Sequence, residues 1–136
     1  MDKRVETRYE AHIVSEEGLP FVFHKDTVRK NDWYDIANWH RNIEILFFTE
    51  GEGTAICDTN TYEVVPGDII VINSNSIHYV KSESVVKYYC LIIDADFCVA
   101  NGIATDSITF LNHIRDENAQ KKYKKIIEEY ASRKEY

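Results

Sequence analysis

The feature that most restricts this chain is a cadence between positions 42 and 93. Runs of β-branched and aromatic residues alternate there with short polar punctuation: Asn42–Glu50, Thr54–Cys57, Tyr62–Val65, Asp68–Asn73, Ile77–Val80 and Val85–Ile93. Between them stand Gly51-Glu52-Gly53, Asp58-Thr59-Asn60, Pro66-Gly67, Asn73-Ser74-Asn75-Ser76 and Lys81-Ser82-Glu83-Ser84. Each run has strand composition and each gap has turn composition. Pro66 sits where φ near −65° is wanted and Gly67 where φ is positive, the pattern of a type II turn. Strands so short and so evenly spaced predict an antiparallel barrel or sandwich.

The flanks differ. Residues 1–19 are polar with mixed charge and a breaker at Gly18-Leu19-Pro20, which predicts an arm. Phe21–His24 reads as a strand followed by a polar loop, Lys25–Asp32. Asp94–Ala100 has the makings of a short helix closed by Asn101-Gly102, and Ser107–Leu111 of a short strand or extended segment. From Asn118 onward Ala119, Tyr123, Ile126, Ile127 and Tyr130 recur at helical spacing, with Lys and Glu on the other face. Such a helix either caps its own barrel or pairs with a copy of itself; Tyr130 and the charged end favour pairing. The expected division is an arm over 1–19, a barrel over 20–94 and a helical segment over 95–136.

With 136 residues the chain suits one domain with a real core. Cys57, Cys90 and Cys98 are odd in number, form no Cys-x-x-Cys pair and sit among apolar neighbours, as buried thiols in a reducing compartment would. No apolar run approaches the ~18–20 residues of a membrane-spanning helix, so a cytoplasmic protein with no membrane partner is expected. The net charge of −7, with basic residues gathered near the termini, lacks the basic stripe that grips phosphates, so this chain by itself should make no direct contact with nucleic acid.

The candidate chemistry lies between Asn38 and His78. On one extended segment Asn38, His40 and Glu44 share parity and leave the same face, while Trp39 and Ile43 leave the other. His78 arrives from a different strand. Two imidazoles and a carboxylate converging from two strands suit a divalent metal with open positions.

These residues resemble the motifs of the cupin superfamily. Its first motif runs His-x-His, three or four residues, Glu, six residues, Gly; here it is Asn38-Trp39-His40, Glu44 and Gly51. Its second runs Gly, five residues, Pro-x-Gly, two residues, His, three residues, Asn; here it is Gly67, Asn73-Ser74-Asn75, His78 and Ser82. The first ligand histidine is replaced by Asn38, the preceding glycine by Asp32, and the second motif lacks its Pro and Gly. Together with Tyr88–Asp94 and the helix that follows, the phrases Asn38–Gly53 and Pro66–His78 are similar to the N-terminal effector-binding and dimerisation domain of AraC-type transcriptional regulators. The likeness covers roughly residues 20–135.

The resemblance implies a mainly β fold, a cupin double-stranded β-helix or jelly-roll barrel with C-terminal α-helices. It also implies a small effector in the barrel, often a sugar, a homodimer through the C-terminal helix, and DNA read by a separate C-terminal domain absent before Tyr136. His40, Glu44 and His78 are then either metal ligands or, together with Asn38, hydrogen-bonding groups of an effector pocket without a cofactor. His24 and Trp33 are the expected aromatic lining residues, and Trp39 should pack outside. No catalytic nucleophile is expected, since Cys57 and Cys90 have no base near them in sequence. The rival expectation is a free-standing metal-dependent cupin enzyme, a dioxygenase or sugar isomerase, using His40, Glu44 and His78.

Overall fold

The computed structural model describes residues 6–9, 19–30 and 36–133. In chain order the elements are β1 (Glu6–Tyr9), β2 (Phe21–Arg29), β3 (Ile36–Trp39), β4 (Ile43–Glu50), β5 (Gly53–Cys57), β6 (Asn60–Val64), β7 (Ile69–Ile72), β8 (His78–Lys81), β9 (Val85–Ile93), α1 (Ala95–Ala100), β10 (His113–Ile114) and α2 (Glu117–Arg133). Two five-stranded sheets face each other, ordered β1-β3-β8-β5-β6 and β10-β7-β4-β9-β2. All their ladders are antiparallel except the parallel pair β1–β3. This is the mainly β, cupin-type jelly-roll sandwich with C-terminal helices that the strand cadence and motifs implied.

Alternation along the strands divides the apolar residues into two clusters. Leu46, Phe48, Ala55, Cys57, Val64, Ile70, Ile72, Val86, Tyr88, Cys90 and Ile92 fill the space between the sheets. On the outer face of the second sheet, Phe23, Ile43, Phe47, Ile69, Val71 and Leu91 are covered by α2 through Tyr123, with Ala119, Ile127 and Tyr130 beside it. The buried Tyr123 hydroxyl donates to the Ile45 carbonyl at 2.7 Å, so it is not stranded in the apolar contact. Asp116 caps α2 by accepting from the Ala119 amide (3.0 Å), and Asp94 caps α1 by accepting from the Phe97 amide (3.0 Å).

Turn chemistry follows the sequence. Gly67 has φ of 98° and the Asp68 amide donates to the Val65 carbonyl at 3.1 Å, the type II turn expected of Pro66-Gly67. Gly51 has φ of 77°, and any Cβ there would collide with the Val85 carbonyl.

Three expectations are corrected. Lys25–Arg29 continues β2 rather than forming a loop, because every residue from Phe21 to Arg29 pairs with β9; the outward polar side chains belong to an edge strand facing water. Ser107–Leu111, expected as a short strand or extended segment, forms no strand; the strand lies at His113–Ile114, against β7. The single extended segment from Asn38 to Glu44 is broken at His40–Asn42, where the chain passes from one sheet to the other. Among the described residues no helix is long and apolar enough to cross a membrane. Trp33 and the arm outside Glu6–Tyr9 and Leu19 lie outside the described residues.

Candidate ligand and metal site

His40 sits at the corner between β3 and β4, and several contacts fix that corner. The Asn75 amide donates to the His40 carbonyl (2.7 Å), and the Asn42 side-chain oxygen accepts from the Ala95 amide at the start of α1 (2.9 Å). Arg41 reaches Asp96 (2.7 Å) and Asp106 (3.0 Å). Glu44 is the inward residue at the start of β4, and His78 opens β8 opposite Asn38 on one side and Cys57 on the other. Asp58 steadies the loop before His78, accepting from the Ile77 amide (2.9 Å) and the Ser76 hydroxyl (3.0 Å).

These supports bring three buried side chains together. His40 Nε2 lies 2.8 Å and His78 Nε2 3.1 Å from the same oxygen, Glu44 Oε2. The two imidazole rings meet edge to face with centroids 4.7 Å apart. Each ring turns its other nitrogen to a backbone carbonyl: His40 Nδ1 to Asn42 at 2.8 Å and His78 Nδ1 to Ser76 at 2.9 Å. A carbonyl can only accept, so both Nδ1 atoms carry the proton and both Nε2 atoms are aimed at the carboxylate. A bare lone pair would face a carboxylate oxygen at hydrogen-bond distance, which is repulsive. Each Nε2–Oε2 contact therefore calls for a shared hydrogen, or for one cation in place of them.

Glu44 answers the same balance from the other side. Burial alone pushes its carboxyl up, but hydrogen bonds from His40 and His78, the charge on His78 and a contact from Cys90 outweigh burial and hold it well below the usual carboxylate range. The Cys90 thiol donates to Oε1 at 2.8 Å.

The donor set fits a divalent cation. Two Nε2 atoms held by Nδ1–H bonds to the protein, plus a carboxylate, are how metal-ligating histidines are normally oriented. Asn38 adds a further sign: its Oδ1 is buried without a hydrogen-bond partner, and its register opposite His78 places both side chains on one face. His40, Glu44 and His78 would hold the ion, with the Asn38 oxygen as an additional donor.

Of the residues singled out in the sequence, His40, Glu44 and His78 thus converge, with Asn38 beside His78. His24 is also on an inward-facing position, but its nearest acid is Asp26 (3.1 Å) and it belongs to a neighbouring group with Asp26 and Cys90. Trp39 lies half exposed against Tyr9, outside the interior, as expected. Sequence reasoning missed Cys90, Asp26 and Asn42. The missing signal for Cys90 was strand register: Leu46 pairs with Cys90 and Glu44 with Ile92, so Cys90 is the diagonal neighbour of Glu44 on the inner face.

A family model of the AraC-like ligand binding domain matches residues 27–133. The chain belongs to that family. Among solved structures, it is similar to a cupin 2 conserved barrel domain protein from Rhodopseudomonas palustris (TM-score 0.52, 13% identity, covering 71% of this chain and 75% of that one). A cupin-2 domain from Rhodospirillum rubrum is similar to the same degree (TM-score 0.52, 17% identity, 68% and 76% covered). These likenesses show the fold. Among curated proteins, it is 25% identical over 81 residues to L-ectoine synthase from Nocardia farcinica, covering 58% of this chain and 61% of that protein. It is 29% identical over 69 residues to L-ectoine synthase from Bordetella parapertussis, covering 49% and 52%. The chain thus spans between half and three-fifths of the length of these relatives.

Proposed function

We propose that this chain is the small-molecule-sensing domain of an AraC-type transcriptional regulator, with His40, Glu44 and His78 as the polar end of its effector pocket. The observation that carries this reading is the buried His40–Glu44–His78 cluster between the sheets, in a chain whose ligand-binding-domain match runs from 27 to 133. A carboxylate and two imidazoles suit an effector rich in hydroxyls, such as a sugar or polyol, whose donors and acceptors substitute for the internal contacts. Through Asn42 the site is tied to α1: the Asn42 carbonyl accepts from His40 while its side chain accepts from the Ala95 amide. An effector that moves His40 biases that helix to the extent that it binds the two arrangements with different affinity. DNA contact belongs to a separate domain in this reading, and self-association falls to α2. The apolar stripe of α2 faces its own barrel, so pairing would rest on Ile126, which is 37% exposed.

A second reading is favoured by the paired Nδ1 anchors and the similarity to L-ectoine synthases: a metal-dependent cupin enzyme. The ion, held by His40, Glu44 and His78, would polarise a substrate oxygen as a Lewis acid. In that case Asn42 and Ser76 orient the rings.

A melting-temperature screen against sugars and small polar metabolites, with and without chelator, tests the sensor reading. Ligand at a hundred times its dissociation constant adds ~2.7 kcal/mol, roughly 8–13 °C for a domain of this size. A hydroxyl-rich hit that works in chelator supports the sensor. Stoichiometric metal on purification, lost in His40→Ala, together with hits that require it, favours the enzyme.

A further inference from the structure

We propose that His24, Asp26 and Cys90 form a second cation site, suited to a thiolate-accepting divalent ion such as zinc and joined to the first cluster through Glu44. Their ligand atoms lie within 4.8 Å of one another. The arrangement follows from register: His24 pairs directly with Cys90 across β2 and β9, and Asp26, two residues on, leaves the same face. That face is otherwise apolar, for Val22 and Val28 on either side of the pair pack into the interior cluster. A His and an Asp stand where alternation would place hydrophobes, with Nε2 and Oδ2 3.1 Å apart. The nitrogen, oxygen and sulfur donors match zinc better than magnesium or calcium, which prefer oxygen alone.

Access and coupling are both built in. Because β2 is an edge strand, the His24 and Asp26 side chains are 42% and 40% exposed, whereas Cys90 is fully buried behind them. An ion therefore reaches the two outer ligands from solvent and is completed by the sulfur. Cys90 Sγ is also the donor to Glu44 Oε1. Ligation converts the thiol to a thiolate, its proton passing to solvent, and withdraws that hydrogen bond. Through Sγ the second site thus adjoins Glu44, the acid shared by His40 and His78.

Cobalt(II) titrated into the fully reduced chain reads this site separately, because only a thiolate ligand gives the near-ultraviolet sulfur-to-cobalt charge-transfer band. The band is expected in the parent, in Cys57→Ser, in Cys98→Ser and in His40→Ala, and its loss is expected in Cys90→Ser. Since Cys90 is buried and its replacement can disturb folding, the half-exposed pair decides: His24→Gln and Asp26→Asn, melting as the parent does, should each weaken the band's cobalt affinity at least about ten-fold. No band at saturating cobalt, or a band unchanged in the double variant His24→Gln/Asp26→Asn, overturns the proposal. Neither result bears on effector binding at Glu44, which the melting screen measures in chelator.

Discussion

Asp68 and Glu44 are both buried acids in this barrel, 2% and 9% exposed, and both are held below the usual carboxylate range against the opposing effect of burial. Their partners differ in kind. Asp68 takes Arg115 on both oxygens (Nε to Oδ1 2.8 Å, Nη2 to Oδ2 3.2 Å) and the Val65 amide at 2.9 Å, with His113 Nε2 3.2 Å away. A guanidinium and a backbone N–H cannot be exchanged for a ligand, so Asp68 bolts the Pro66-Gly67 turn to the segment leading into α2. Gln120 reinforces the same bolt by donating to the Gly67 carbonyl at 2.8 Å. Glu44 is instead balanced by two imidazoles and a thiol, each of which can give up its proton to a cation or turn to a bound molecule. Asp68 is held mainly by partners that cannot be exchanged, with His113 beside them, and Glu44 only by partners that can, which makes Glu44 the candidate site.

The sharpest way to break this contrast is Glu44→Gln, which keeps the shape and removes the charge. It should weaken effector or cation binding about a hundred-fold while the chain stays folded, as read by ligand-induced melting shifts. Asp68→Ala should do the reverse. It strands the Val65 amide and releases Arg115, and is expected to lower stability by about 2–3 kcal/mol in denaturant titration with binding changed less than about threefold. Tyr123→Phe removes the hydroxyl bond to Ile45 but no packing, and should lower stability by about 1 kcal/mol without touching the site.

Smaller still is the pH signature. A carboxyl whose folded value is lowered adds stability that is complete above its ordinary titration range, roughly pH 4, and drains away as pH falls below that range. Asp68 and Glu44 both have lowered values, so Asp68→Asn and Glu44→Gln should each flatten the acid limb of a melting-temperature profile. Saturating ligand should steepen that limb for Asp68→Asn and leave it unchanged for Glu44→Gln.

The contrast also explains how much the sequence disclosed. The strand cadence, the type II turn and the convergence of His40, Glu44 and His78 were legible because each rests on local composition or on a motif with fixed spacing. By parity Asn38, His40 and Glu44 belong on one face of one strand; the chain changes sheets between them, so the residues meet at a corner instead. Lys25–Arg29 looked like a loop because an edge strand turns polar side chains to water, and only pairing with β9 identifies it. The partners that separate a bolt from a site were hidden for one reason: Arg115 lies 47 residues from Asp68 and Cys90 lies 46 from Glu44. Local pattern carries no information about which distant residues a register brings together. Ile127 illustrates the same limit, since helical spacing grouped it with Ile126, yet Ile127 packs on the sheet and Ile126 faces out.

The most direct test takes one ligand found by melting screen and measures its dissociation constant calorimetrically on the parent, Glu44→Gln and Asp68→Asn at the same pH. Glu44→Gln should lose about two orders of magnitude in affinity while Asp68→Asn, though less stable, should bind as the parent does. Equal affinity in Glu44→Gln and the parent, or equal losses in both variants, would show that the His40–Glu44–His78 cluster is another structural bolt and not the binding site.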